Sequence, residues 1–207
     1  MTEKYFVHEI FESIQGEGGN TGTGMLFVRF SGCNLNCPFC DTPETKIVGF
    51  LHTPMTFAAL VDRIKVSRQK WVCFTGGEPC LQVDKDLIDA VDAAGKKIAV
   101  ETNGTIFREE FARFSYITIS PKAHVVDPRW FAEARVNEMR FLVNAVGGFV
   151  GEPPEAFSHR VDRIYLSPEF EGVRNPNAGA LKAAVRMVLS NPAYRLSVQV
   201  HKWLNIR

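Results

Sequence analysis

The chain has 207 residues, 24 Lys and Arg against 23 Asp and Glu for a net charge of +1, and 45% hydrophobic residues. That length suits a single domain, residues 1–207, with a sizeable core, and near-neutral charge gives no bias toward nucleic acid or an anionic membrane. No apolar run approaches the roughly 20 residues of a membrane span, and the N-terminal MTEKYFVHEIFESIQGEG lacks the apolar stretch of a signal peptide, so a cytoplasmic enzyme is expected, with no nucleic-acid or membrane partner.

The first informative stretch is FESIQGEG, residues 11–18. Gln15 and Glu17 stand two apart and face one side in extended chain. A glutamate beside an amide suits a guanine-like edge, whose N–H and exocyclic amine both donate. A polar loop with flexible glycines accounts for the same residues. Arg29 follows in an apolar segment, four residues before Cys33, where a lone guanidinium is costly unless paired. A buried salt bridge is the plain account, and a substrate carboxylate is the sharper one.

Residues 31–42, SGCNLNCPFCDT, place Cys33, Cys37 and Cys40 in a C-x3-C-x2-C spacing. Three thiolates this close can hold three irons of a cubic iron–sulfur cluster and leave the fourth without a protein ligand. An electron carrier normally saturates its cluster with cysteine. An open iron suits a substrate that binds the metal, such as the amino and carboxylate groups of S-adenosylmethionine. A structural zinc site would want a fourth ligand at short spacing, and the next candidate, His52, is twelve residues beyond Cys40. Five cysteines, an odd number, do not suggest a disulfide framework. Cys73 and Cys80 have no partner at metal spacing and read as packing residues.

Beyond this loop, short apolar segments at 25–30, 71–74, 97–101, 116–119, 139–143, 163–167 and 196–200 read as strands buried on both faces. Between them lie amphipathic helices. Phe57, Leu60, Val61 and Ile64 share one helical face after Thr56 as N-cap. Leu87, Ile88, Val91 and Ala94 share another before Gly95, and Leu181, Ala184, Val185 and Val188 a third. Alternation of this kind predicts an α/β fold with a parallel sheet. The unusual polar and glycine-rich clusters follow strands: SGC, TGGEP, ETNG, SPK, SPEF and HK. Parallel barrels and doubly wound sheets bind ligands at those strand ends. Thr75-Gly76-Gly77-Glu78-Pro79 would let backbone approach a ligand, with Glu78 as acceptor for an ammonium group, although an ordinary Gly-Pro turn has the same composition.

The three-cysteine loop, with TGGEP beginning thirty-five residues after Cys40, resembles the radical S-adenosylmethionine superfamily. ESIQGEG, VRFSGCNLNCPFCDT, TGGEP, ETNG, SPK and the terminal QVHKWLNIR together resemble the 7-carboxy-7-deazaguanine synthase family, end to end. That resemblance implies a partial, open TIM-like barrel of βα units, a homodimer, and an external electron donor such as flavodoxin. It implies a 4Fe–4S cluster on Cys33, Cys37 and Cys40, and magnesium on Thr42. S-adenosylmethionine would meet Phe39, Cys40, Asp41, Gly77, Glu78, Ser120, Pro121 and Lys122, and a pterin would meet Ile14, Gln15, Gly16, Glu17, Arg29 and Thr75. The implied reaction is a carbon–nitrogen lyase step on 6-carboxytetrahydropterin. A 5′-deoxyadenosyl radical takes hydrogen from C6, the ring contracts, and ammonia leaves. Ser167-Pro168-Glu169-Phe170 replaces a Gln-Pro pair of many members, so adenosyl contacts are not carried over there, nor is a substrate contact by Arg207. His201 and Lys202 read equally as site residues or as a solvated terminus. The rival expectations are an activating enzyme of a glycyl-radical protein, which shares the cysteine spacing, and a non-catalytic iron–sulfur or zinc module.

Overall fold

The structure is a computed structural model that describes residues 4–46, 54–122, 125–149, 153–157, 159–171 and 175–206, so His52 and Arg207 lie outside the described residues. Contacts divide the chain into two compact units, residues 1–13, 24–102 and 106–117 in the first and 14–23, 103–105 and 118–207 in the second. The strands that carry the candidate residues are β1 (Val7–Ile14), β2 (Gly24–Phe30), β3 (Trp71–Gly76), β4 (Lys97–Thr102), β5 (Tyr116–Ile119), β6 (Glu138–Val143), β7 (Arg163–Pro168) and β8 (Tyr194–Leu196). The helices are α1 (Phe57–Val66), α2 (Lys85–Ala93), α3 (Arg129–Glu133), α4 (Ala178–Ser190) and α5 (Val200–Leu204).

In the first unit the strand order is β1-β2-β3-β4, with β2, β3 and β4 parallel. In the second it is β5-β6-β7-β8, all parallel. Sequential neighbours of this kind are the winding of βα-barrel strands, and the sheet is open, as expected. The helices follow their sequence signals. Thr56 caps α1 by accepting the Ala59 N–H at 3.3 Å, and Leu60, Val61 and Ile64 are buried. Asp84 caps α2 through the Leu87 N–H at 3.0 Å, and Gly95 ends it with φ of 69°.

One strand is absent from the expectations, and two of the expectations need correction. The segment 7–14 is a strand, hidden in sequence because Val7, Ile10, Phe11 and Ile14 are interspersed with His8, Glu9, Glu12 and Ser13. The apolar face of α4 is built from the alanines 180, 183 and 184, whereas Val185 is turned outward. Small side chains let that helix lie close, which the larger apolar residues of the expected stripe would not. The last strand lies earlier than 196–200. The Ser197 N–H still bonds Leu166 C=O at 2.9 Å, but the Val200 N–H bonds Gly16 C=O at 3.0 Å and begins α5.

The core of the first unit sets its rim. Side chains alternate across a strand, and Met25, Phe27, Cys73 and Ala99 form one buried cluster against Phe11, Trp71 and Tyr116. Arg29 and Thr75 continue that same face at the carboxyl ends of β2 and β3, where they are paired in register. Cys73 is therefore a packing residue, as read from its spacing.

Candidate active site

The cysteine loop is shaped by main-chain bonds to the glycine pair of the next strand end. Gly77 N–H bonds Phe30 C=O at 2.9 Å, Glu78 N–H bonds Gly32 C=O at 2.8 Å, and Gly32 N–H bonds Thr45 C=O at 2.6 Å. A Cβ on Gly77 would lie 2.1 Å from the Gly32 oxygen, so the approach admits no side chain. Gln82 fastens the entry: its amide donates to Ser31 C=O at 2.6 Å and Phe6 C=O at 3.2 Å, and accepts the Phe6 N–H at 2.7 Å. Lys46 fastens the middle, donating to Cys37 C=O at 2.5 Å and Asn36 Oδ1 at 3.2 Å. Sequence reasoning missed both clamps, because neither residue carries a spacing signal.

Cys33, Cys37 and Cys40 are partly exposed free thiols. Burial pushes the Cys33 thiol up, partly offset by the Leu35 N–H, while Glu78 and then the sulfurs of Cys37 and Cys40 push it further. Among the described residues no three His, Cys, Asp or Glu side chains converge on one metal ion. A cubic cluster asks for something different, since each thiolate takes a separate iron. Three neighbouring cysteines on a half-open loop fit that donor set. Metal binding would draw off the proton that burial holds on Cys33.

Two residues after Cys40, the Thr42 hydroxyl donates to Asp41 Oδ1 at 3.0 Å, and its carbonyl accepts from the Thr45 amide at 3.1 Å and hydroxyl at 2.8 Å. The turn is thus closed by the Thr42 main chain, and its side-chain oxygen stands with a carboxylate. Oxygen donors of this kind fit magnesium. Phe39 is half-buried on the same loop.

Glu78 is fully buried, and its Oε1 accepts from Thr102 Oγ1 at 2.7 Å and the Cys80 N–H at 3.0 Å. Its carboxylate therefore holds the turn and the end of β4 together. Burial pushes the Cys80 thiol well above the ordinary range, with the Glu78 charge adding to it, so this sulfur is inert. Arg29 bonds Glu9 Oε1 through Nε at 2.9 Å, with both side chains partly exposed. The ion pair expected as the plain account exists, partly exposed rather than buried, and it engages Nε.

The second unit holds Ile14, Gln15, Gly16, Glu17, Ser120, Pro121 and Lys122. Gln15 N–H bonds Thr23 C=O at 2.8 Å and Gln15 Oε1 accepts the Glu17 N–H at 3.1 Å, so the amide orders the turn that presents Glu17. Glu17 Oε2 accepts from Arg140 Nη1 at 2.9 Å, and Oε1 accepts from Gln199 Nε2 at 2.6 Å. Ser197 Oγ accepts the Gly18 N–H at 3.0 Å, and His201 stands where a Cβ on Gly16 would be, 2.0 Å from Nδ1. His201 is thus packed on the IQG turn. Lys122 Nζ donates to Ser120 Oγ at 2.8 Å. Sequence reasoning missed Glu138, Arg140, Ser197 and Gln199. The usable signal was Glu138 and Arg140 two apart on one face of an apolar strand.

Residues 27–139 match the Radical SAM superfamily. The chain is similar to the 7-carboxy-7-deazaguanine synthase of Bacteroides thetaiotaomicron, with 36% identity over 97% of this chain and 98% of the relative. It is also similar to the protein of that name from Nitratidesulfovibrio vulgaris, with 34% identity over 98% and 99%. The crystal structure of QueE from Escherichia coli has the same fold, with a TM-score of 0.74 and 24% identity over 96% of this chain and 95% of that one. No helix among the described residues is long and apolar enough to cross a membrane.

Proposed function

Because the chain belongs to the 7-carboxy-7-deazaguanine synthase family of the radical S-adenosylmethionine superfamily, we propose that it converts 6-carboxy-5,6,7,8-tetrahydropterin to 7-carboxy-7-deazaguanine, a carbon–nitrogen lyase reaction serving queuosine and deazapurine biosynthesis. A 4Fe–4S cluster and S-adenosylmethionine supply, when bound, the one-electron chemistry that starts hydrogen-atom abstraction. The observation that carries the reading is the three-cysteine loop fastened along Gly77 and Glu78 in a chain with relatives of that name over nearly its whole length.

Each group of residues then has a task. Cys33, Cys37 and Cys40 would hold the cluster, which would supply the electron to the cofactor. Phe39, Asp41, Gly77, Glu78, Ser120, Pro121 and Lys122 bind that cofactor, and Glu78 also braces the turn through Thr102 and the Cys80 N–H. Arg29 and Thr75 take the substrate's carboxylate side. Ile14, Gln15, Gly16 and Glu17 take the pyrimidine edge, where the two N–H donors of a pterin meet the Glu17 carboxylate. Thr42, with Asp41 nearby, would hold magnesium, whose charge would answer the substrate's oxygens. The protein works as a cytoplasmic homodimer and draws its electron from a carrier such as flavodoxin.

Anaerobic reconstitution with iron and sulfide, followed by mass spectrometry of products from the pterin and S-adenosylmethionine, tests this directly. The expected product is the ring-contracted acid. Cofactor cleavage with the pterin recovered intact would overturn the assignment and leave only the superfamily chemistry.

A further inference from the structure

The Glu17 carboxylate is held on two sides by groups that only donate. Arg140 reaches its Oε2 and the Gln199 amide nitrogen reaches its Oε1. A guanidinium has no acceptor and keeps its proton in proteins, so the oxygen that faces it must accept. Each carboxylate oxygen carries two lone pairs, and after these two bonds one acceptor position remains on each. What Glu17 offers a ligand is therefore a pair of acceptors with fixed direction.

Arg140 is itself fixed. Its Nη2 donates to Glu138 Oε1 at 2.8 Å, and its side chain is 8% exposed. Glu138 is 1% exposed and also accepts the Gly19 N–H at 2.8 Å and the Thr118 hydroxyl at 3.2 Å. A Cβ on Gly18 would stand 2.1 Å from Glu138 Oε1, so the turn carrying Glu17 lies directly on this carboxylate. Two carboxylates share one guanidinium in a nearly dry setting, which leaves one formal negative charge in excess. N–H donors from a ligand would answer that charge, and a carbonyl oxygen would oppose it.

We propose that Arg140, seconded by Gln199, is a positioning and specificity-determining residue: it locks Glu17 as an acceptor-only partner, so that the protein selects a 2-amino ring edge with adjacent N–H donors and rejects the corresponding 2-oxo edge. The proposal rests on the reading of Glu17 as a ligand of the pterin edge. Lysine would keep the charge at 140 but lose the two separate nitrogens that reach Glu17 and Glu138 together.

The test compares pterin-6-carboxylate with lumazine-6-carboxylate, its 2-oxo counterpart, binding to the reconstituted full chain, followed by ligand fluorescence. The unaltered protein should favour the 2-amino ring by about tenfold or more, since a site built to accept N–H donors discriminates strongly against their loss. Arg140→Met should bring the two affinities within about threefold, Arg140→Lys should recover part of the preference, and in turnover KM for the pterin should rise more than kcat falls. Gln199→Leu, at a half-exposed position, should narrow the preference by the same route and covers the case in which Arg140→Met does not fold. If Glu17→Gln erases the preference while Arg140→Met and Gln199→Leu keep it, the positioning role is overturned and Glu17 stands. If Glu17→Gln leaves the preference of the unaltered protein intact, Glu17 is not the reader and both readings fall.

Discussion

Residues 31–46 and the cluster of Glu17, Glu138, Arg140 and Gln199 are both small polar assemblies, and they are built in opposite ways. The loop is fastened by its backbone, through Gly32, Thr45, Gln82 and Lys46, while its three thiols stand half-open. In the carboxylate cluster the side chains themselves hold one another, and little of Glu17, Glu138 and Arg140 meets solvent. A metal site of this sort can wait for its ions to draw the ligands in, because binding supplies its own ordering energy. A small organic ligand brings far less, so the groups that read it must be set beforehand.

The sharpest way to break that contrast is to remove the thiols. Cys33→Ala, Cys37→Ala or Cys40→Ala should abolish visible absorbance and iron content after anaerobic reconstitution, whereas Cys73→Ala and Cys80→Ala should keep both. A bleached Cys73 or Cys80 variant would put a ligand where the structure has packing. Next comes Thr42→Ala, which should keep its cluster yet lose most of the stimulation of turnover by magnesium. Superimposable magnesium titrations of the two proteins would leave Thr42 with only its role in closing the turn.

A smaller effect lies beneath the loop. Thr102→Val preserves shape and deletes one hydrogen bond to the buried Glu78 carboxylate, for a loss of about 1–3 kcal/mol in denaturant unfolding. Unchanged stability would mean that Glu78 does not brace the turn. The smallest effect concerns the thiols without iron. Burial raises Cys33, so its reactive thiolate is scarce at neutral pH and grows as pH rises. In cluster-free protein, alkylation mapped by mass spectrometry should therefore accelerate at Cys33 with rising pH, and Cys80 should stay unlabelled until unfolding. Fast, pH-independent labelling of Cys33 would contradict its partial burial.

The chemistry of the cysteine loop could be read from the sequence because its ligands are separated by only three and two residues. The strand ends were legible for a similar reason: a short apolar run and the glycine or serine that follows it are local. Arg29 was legible as a problem, a charge in an apolar strand. Its answer, Glu9, sat in a strand that mixed polarity concealed. Glu78 is legible as a carboxylate at a strand end, but the bond its Oε1 accepts from Thr102 is not, because that pairing needs the register of β3 on β4. The partners of Glu17 were out of reach altogether, since Arg140 lies 123 residues along the chain. No periodicity links such positions. Only the unexplained charges in β6 hinted that something must come to meet them.

That separation also has a consequence in time. The loop's fastenings join residues between Phe6 and Gln82, so everything that shapes it has been synthesised before half the chain exists. Glu17 must wait for Gln199, 182 residues later. Counted from Gln82, the 117 residues to Gln199 take roughly 6–23 s at about 5–20 residues per second of synthesis. During this interval a nascent chain could present its cysteines to the machinery that delivers iron while its recognition turn is still unfinished. Metal loading would then come naturally before substrate selection in the life of each molecule.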